Sequence, residues 1–154
     1  MIVLRPIQER DLELLKKIYS STRDEELRVV TWAPGQKEAF LEQQFAAQHK
    51  AYTENYPGAE LSVIEVDHEP AGRFYVHRTP HDFRVIDIAV LPSFRGKGIG
   101  GELLGKLIDD ANRVNVQVSI HVEIENPARR LYTRLGFEFV ENRGVYDYLV
   151  RRVQ

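Results

Sequence analysis

Between Arg95 and Gly101 the chain reads Arg-Gly-Lys-Gly-Ile-Gly-Gly, which puts four glycines and two cations in one short loop. Glycine lets a backbone turn its N–H groups outward and approach a bulky group, and successive N–H groups opening a helix form an anion site. Arg95 and Lys97 add formal positive charge, and the combination suits a pyrophosphate. A tight strand-to-helix turn with solvated basic residues is the plainer reading of the same loop. Three other residues carry chemistry of their own. Asp87 interrupts an apolar strand, where an unpaired carboxylate is costly, so it either pairs with a base such as Arg84 or faces a ligand. His121, between Ile120 and Val122, is a proton acceptor or a histidine satisfied by packing. Tyr132 shares a helical stripe with Leu131 and Leu135 and reads as a core aromatic or as a proton donor. Glu123, at the end of the same strand as His121, reads as solvated. His77, His81 and Asp82 have a loose metal-ligand spacing, but Thr79-Pro80 prevents a regular helix between them, and no metal is assigned. Trp32, Tyr52 and Tyr56 line a pocket or pack as core and rim.

The elements that position these groups follow from periodicity. Ile2–Arg5 is a short strand, and Leu12, Leu15, Ile18 and Tyr19 recur at helical spacing. A shorter helix is expected from Thr22 to Val29 and another from Lys37 to Tyr52. The period then changes to two: Leu61–Val66 and Gly72–Val76 read as a hairpin, and Val85–Val90 as a central strand apolar on both faces. After the glycine loop, Leu103, Leu104, Leu107, Ile108 and Ala111 mark an amphipathic helix. Val116–Val122 is a strand, a helix begins at Asn126-Pro127 and stops at Gly136, and Phe137–Val140 and Val145–Val150 close the chain as strands. This order predicts a mixed α+β domain of the α/β type, with helices packed on one mixed sheet.

Composition bounds the rest. The 154 residues suit one domain spanning 1–154, and the absence of cysteine excludes disulfides and thiol chemistry. With 21 Lys+Arg against 23 Asp+Glu the net charge is -2, so no nucleic-acid footprint is expected. No apolar run is long enough for a bilayer, and the start MIVLRPIQERD is not that of a signal peptide, so a cytoplasmic protein is expected. Two other phosphate motifs come close. Gly96-x-Gly98-x-x-Gly101 matches a dinucleotide fingerprint, but Leu91–Arg95 separates it from its strand. Gly100-x-x-x-x-Gly105-Lys106 resembles a P-loop, but Leu107 stands where Ser or Thr is required.

The residues resemble the GNAT superfamily of acetyl-CoA-dependent N-acetyltransferases. Its signature of Gln or Arg followed by x-x-Gly-x-Gly/Ala appears as Arg95-Gly96-Lys97-Gly98-Ile99-Gly100, after a strand ending Ile88-Ala89-Val90 and then Pro92. Downstream, Ile120-His121-Val122, Asn126, Leu131-Tyr132 and Leu135-Gly136-Phe137 resemble the second signature, although Tyr132 follows Asn126 one position sooner than in many members. The resemblance implies an acyl-CoA N-acyltransferase fold with a mostly antiparallel sheet of about seven strands. It implies that acetyl-CoA, without a metal, donates acetyl to a primary amine by direct attack in a ternary complex. The cofactor residues would be Ile88, Ala89, Val90, Arg95, Gly96, Lys97, Gly98, Ile99, Gly100 and Asn126. Tyr132 would be the acid, and His121 and Asp87 the candidates for the base. The alternatives are a non-catalytic CoA- or nucleotide-binding module and, from the glycine fingerprint, a dinucleotide-binding protein. Pairing of two copies through the final strands is open.

Overall fold

A computed structural model describes residues 1–153. In chain order the elements are β1 (Ile2–Pro6), α1 (Leu12–Leu27), α2 (Gln36–Asn55), β2 (Glu60–Val66), β3 (Glu69–Arg78), β4 (Asp82–Val90), α3 (Ile99–Arg113), β5 (Gln117–Glu123), α4 (Arg129–Arg134), β6 (Glu138–Arg143) and β7 (Tyr146–Arg151). The seven strands make one sheet in the order β1-β2-β3-β4-β5-β7-β6. Every neighbouring pair is antiparallel except β4 and β5, which run parallel. The expected mixed, mostly antiparallel sheet is therefore present. No helix among the described residues is long and apolar enough to cross a membrane.

Two cores sandwich the sheet. On one face α3 buries Leu103, Leu104, Leu107, Ile108 and Ala111 against Phe74, Val85, Val118 and Ile120. On the other, Leu15, Ile18 and Tyr19 of α1 and Phe45 of α2 close over Ala89 and Leu91. The start of α1 is pinned to β1 by Arg5, which makes paired contacts of 2.8 and 2.9 Å to Asp11. Asp11 also accepts the Gln8 N–H at 2.7 Å. Hydrogen bonding to Arg5 holds the buried Asp11 carboxyl below its ordinary range.

Two sequence expectations change here. The separate helix over Thr22–Val29 is the last part of α1, which runs unbroken to Leu27. Ser21 and Thr22 fold their hydroxyls back onto the carbonyls of Ile18 and Tyr19, each at 2.6 Å, so neither caps a new helix. The helix expected from Asn126 starts at Arg129 instead. The Asn126 side-chain oxygen accepts the Ala128 N–H at 2.8 Å, and this turn, rather than a first helical turn, leads into α4.

The feature that shapes the site is an extra residue in β4. Tyr75 pairs with Asp87 and Val76 with Val85, so Ile86 is left unmatched as a bulge. Side-chain alternation therefore reverses across it. Phe83 and Val85 point into the α3 core, and after the bulge Ile88 and Val90 take that face. Asp87 and Ala89 turn to the α1 side, where Ala89 joins that core. Unbroken alternation would drive the Asp87 carboxylate into the α3 core.

Beside the bulge β3 and β4 press close. A Cβ at Gly72 would lie 2.1 Å from the Ala89 carbonyl oxygen. Gly72→Ala is expected to cost about 1–3 kcal/mol by overpacking two central strands. Urea unfolding reads this as a lower midpoint at unchanged slope; a variant as stable as the parent would show that the strands separate there freely.

Candidate active site

The parallel pair β4–β5 lasts only four rungs, from Asp82↔Gln117 to Val85↔Ile120. Past the bulge β4 continues along β3, while β5 continues along β7. The two strands thus diverge at their carboxyl ends, where open α/β sheets place their ligands. The N–H of Leu91 bonds to Ala71 O at 2.7 Å, and alternation turns the polar groups of Ala89 toward β3 as well. Those of Ile88 and Val90 face the opening. Arg95 Nε donates to Val90 O there at 2.9 Å.

The glycine loop closes this end of the cleft. Gly96 and Gly98 have φ of 74° and 79°, a backbone that an L side chain enters only with strain. Gly98 is the N-cap of α3, and no side chain caps the helix. The first helical bond runs from Glu102 N to Gly98 O at 3.0 Å, leaving the N–H groups of Ile99, Gly100 and Gly101 free of helical partners. Gly100 and Gly101 lie against Leu131 of α4, each 3.5 Å from where a Cβ would be. Lys97 lies over the Phe94 ring. The Ile99 side chain is core, so only its main chain is available to a ligand. Asn126 is engaged in the turn before α4 through its side-chain oxygen.

Tyr132 is buried in α4, edge-on to Phe137 at 5.8 Å between centroids. Burial and the nearby Asp87 carboxylate push its pKa up to about 12. The phenol therefore stays protonated across the physiological range.

Asp87 pairs with Arg73, 2.5 Å from Nη2, and not with Arg84. Arg84 instead leans onto its rung partner on β5, donating from Nε to Ser119 Oγ at 2.7 Å. Arg73 is 2% exposed, and Nη2 also donates to Gln48 on α2 at 2.8 Å. Burial works against the Arg73 charge, but Asp87, Tyr75 and Tyr52 outweigh it and raise its pKa. The Tyr75 hydroxyl and Arg73 Nε have no hydrogen-bond partner among the described residues. Tyr52 meets Tyr75 edge-on at 5.9 Å. Burial first, then the Asp87 charge, raises the Tyr52 pKa. Tyr146, the β7 rung partner of Glu123, has its pKa raised by burial first and then by Glu123 and Asp87.

His121 is the first residue of β5 beyond the last rung and lies on the Asp87 face of the sheet. Its Nδ1 is 3.3 Å from Arg84 Nη1 and its Nε2 2.9 Å from Arg143 Nη1. Burial and these two cations hold its pKa below the ordinary 6.5. Its ring is neutral at pH 7, but both nitrogens are already faced by donors.

The structure turns the outward groups of Ile88 and Val90 to the opening between β4 and β5, brings Tyr132 within electrostatic range of Asp87, and leaves His121 on the Asp87 face of the sheet. It sends Ala89 toward β3. Of the three aromatics noted in sequence, Tyr52 packs on Tyr75 within electrostatic range of Asp87. Trp32 packs on Phe40 at 5.4 Å and Tyr56 on His77 at 5.5 Å. Sequence reading passed over Arg73, Tyr75, Tyr146, Arg143 and Tyr148. The one available signal was Arg73-x-Tyr75, a charge in a strand otherwise patterned for burial.

Comparison with known proteins bears on the family and the fold. The family model described as acetyltransferase (GNAT) family matches residues 15–137. A ribosomal protein bS18-alanine N-acetyltransferase of Haemophilus influenzae is 41% identical over 63 residues, covering 40% of this chain and 43% of that protein. A Bacillus subtilis protein described as a putative enzyme of the same kind is 29% identical over 87 residues, covering 53% of this chain and 56% of its own. The matched stretches thus span about half the length of these two relatives. Among solved structures, the PaiA N-acetyltransferase of Thermoplasma acidophilum in complex with coenzyme A superposes with a TM-score of 0.73 at 13% identity, covering 99% of both chains. The Escherichia coli ribosomal-protein-S18-alanine N-acetyltransferase does so with 0.63 at 20% identity, over 97% of this chain and 91% of that one. The two solved structures share the fold, and the family model spans both the parted strands and the glycine loop: the chain belongs to the GNAT acetyltransferase family.

Proposed function

We propose that the chain, acting as one unit, transfers acetyl from acetyl-CoA to a primary amine by direct attack in a ternary complex. The observation that carries this is the parting of β4 and β5 beside an uncapped, glycine-led helix. That arrangement leaves main-chain groups of Ile88 and Val90 free to pair with an extended ligand as a further strand would. It also leaves amides of Ile99 and Gly100 for a pyrophosphate, with Arg95 and Lys97 beside them. Arg95 would release Val90 O to reach the phosphates. Gly96 and Gly98 supply the backbone turn, and Asn126 shapes the entry to α4 on the far side. A non-catalytic CoA-binding module would use the same groups, and the Tyr132 variant below separates the two.

Acetyl-CoA supplies an activated thioester, so the chain's task is to orient it and manage two protons. Tyr132, protonated throughout the working range, donates a hydrogen bond to the departing thiolate. With a pKa of about 12 against roughly 8.5 for an alkyl thiol, full transfer is uphill, so the phenol stabilises charge more than it surrenders its proton. Asp87 receives the incoming ammonium among Tyr52 and Tyr146. The amine attacks the thioester carbon after giving one proton to solvent, and as the C–N bond forms and the C–S bond breaks its second proton passes to solvent or to the departing CoA thiolate. His121 is poorly placed to take the proton, because both ring nitrogens face guanidinium groups. A site without a strong base favours an amine that is already partly neutral. An α-amine of pKa near 8 is about one-tenth neutral at pH 7, whereas a lysine near 10.4 is neutral to roughly one part in two thousand. The reading therefore favours an α-amino acceptor, the group that the Haemophilus influenzae relative is named for acetylating.

Tyr132→Phe is expected to lower kcat about 100-fold while acetyl-CoA affinity by calorimetry stays within about threefold. Unchanged turnover would remove Tyr132 from the chemistry. Gly98→Ala forces a side chain into the left-handed region and should cost about 1–2 kcal/mol of stability as well as acetyl-CoA affinity. Gly100→Ala meets only ordinary contacts and should keep stability while weakening acetyl-CoA binding. Thermal melts with and without acetyl-CoA make that comparison, and full protection of the Gly100 variant would move the pyrophosphate elsewhere. With an α-amino acceptor, kcat/KM should rise tenfold per pH unit and level off at about pH 8, the point at which the amine loses its proton. A plateau already reached below pH 6.5 would instead indicate a base that titrates well before the amine.

A further inference from the structure

On the sheet face shared with Asp87, β5, β6 and β7 carry a second polar cluster outside the machinery for transfer. Tyr148 is the rung partner of His121, and the two rings lie 5.2 Å apart. The guanidinium carbons of Arg143 and Arg84 stand 3.9 and 5.5 Å from the Tyr148 ring centroid. Both arginines are anchored by their Nε edges. Arg84 Nε donates to Ser119 Oγ at 2.7 Å, and Arg143 Nε to Glu141 at 2.7 Å. Asp82, the other nearby acid, accepts from Ser119 at 2.7 Å and Gln117 at 3.1 Å and is 3.9 Å from Arg84 Nε. Both carboxylates are thus spent on the anchoring side, and both Nη1 groups point at the imidazole.

This cluster holds more donors than acceptors. A neutral imidazole has one lone pair and one N–H, and guanidinium nitrogens only donate. With one guanidinium facing each ring nitrogen, one of the two must face an N–H. Protonating His121 would make both contacts donor against donor, among three like charges. An incoming anion removes the conflict, because it accepts from the His121 N–H and from the guanidinium that faces it. Arg143 is the arginine free to yield, with a side chain 44% exposed against 20% for Arg84. The planar fork selects a carboxylate, which takes two parallel hydrogen bonds.

The place matters as much as the chemistry. Beyond Val85↔Ile120 the two strands part, and Asp87 and His121 stand on the same sheet face on opposite sides of that opening. We propose that Arg84, His121 and Arg143 form a carboxylate subsite beside the amine position, so that the acceptor is an amine carrying a carboxylate a few bonds away. This deepens the acetyl-transfer reading and rests on it for the identity of the reacting amine. A free amino acid and an acidic peptide N-terminus share that chemistry.

Two matched acceptor pairs test it: L-alanine against L-alaninamide, and the peptide amide Ala-Asp-Gly against Ala-Asn-Gly. The expected result is a preference of about tenfold in kcat/KM, taken per neutral amine because a free amino acid is more basic than its amide, for the carboxylate member of one pair, and which pair shows it identifies the source. Arg143→Ala, a change on an exposed hairpin, should bring that ratio toward one. Independently of turnover, titrating L-alanine and Ala-Asp-Gly amide into the ¹⁵N-histidine-labelled protein should shift the His121 ring nitrogens, and Arg143→Ala should abolish the shift. Acetylation of both members of each pair at equal rates, with no His121 shift, overturns the subsite while leaving acetyl transfer intact. A His121 shift in a protein that acetylates nothing sustains the subsite and overturns the acetyl-transfer reading instead.

Discussion

The unmatched Ile86 in β4 governs how everything around it is arranged. An antiparallel β3 and a parallel β5 flank β4, and both registers hold as far as Val85. One extra residue bends the strand and reverses its alternation, so β4 can continue along β3 only by leaving β5. The cost is a set of ladder hydrogen bonds given up in the middle of the sheet, a loss that a ligand lying between the strands can offset. The reversal also carries Asp87 out of the α3 core and onto the face that α1 and α2 cover. The parting of β4 from β5 and the placing of Asp87 are therefore consequences of one local irregularity.

Electrostatics on that face are arranged in two separate groups. Arg73 and Asp87 form a buried pair under α2, where either charge alone would be severely destabilising. The pair is close to neutral overall, yet it leaves Asp87 partly open toward Tyr52 and Tyr146. Across the opening, Arg84 and Arg143 are tethered to Ser119 and Glu141 and converge on His121. Neither group adds much net charge, which agrees with a chain whose total is only -2. Recognition on such a surface comes from the direction of donors and acceptors rather than from a field.

Much of this architecture was legible in the chain. The switch of period after Pro57-Gly58, the apolar run of β4 and the stripe of α3 all appear where expected, because each follows from local burial. The glycine loop was legible for a stronger reason: a left-handed backbone at Gly96 and Gly98 restricts the residue type itself. Asp87 was recognisable as costly, but Arg84 was the wrong partner to name. Arg84 and Asp87 are close in sequence, whereas the true partner, Arg73, reaches Asp87 across the β3–β4 ladder. The bulge has no signature of its own among Val85-Ile86-Asp87, since each of these residues suits a strand.

What the sequence determined by itself is therefore most of the elements, their order, and the left-handed glycine turn before α3, all of which depend on interactions within a few residues. Only the tertiary structure decided which strands part, which arginine holds Asp87, and that both nitrogens of His121 meet guanidinium groups. Those outcomes depend on register, and register is set by how whole strands pack. A shift of one residue, as at Ile86, exchanges the two faces of a strand without altering its composition.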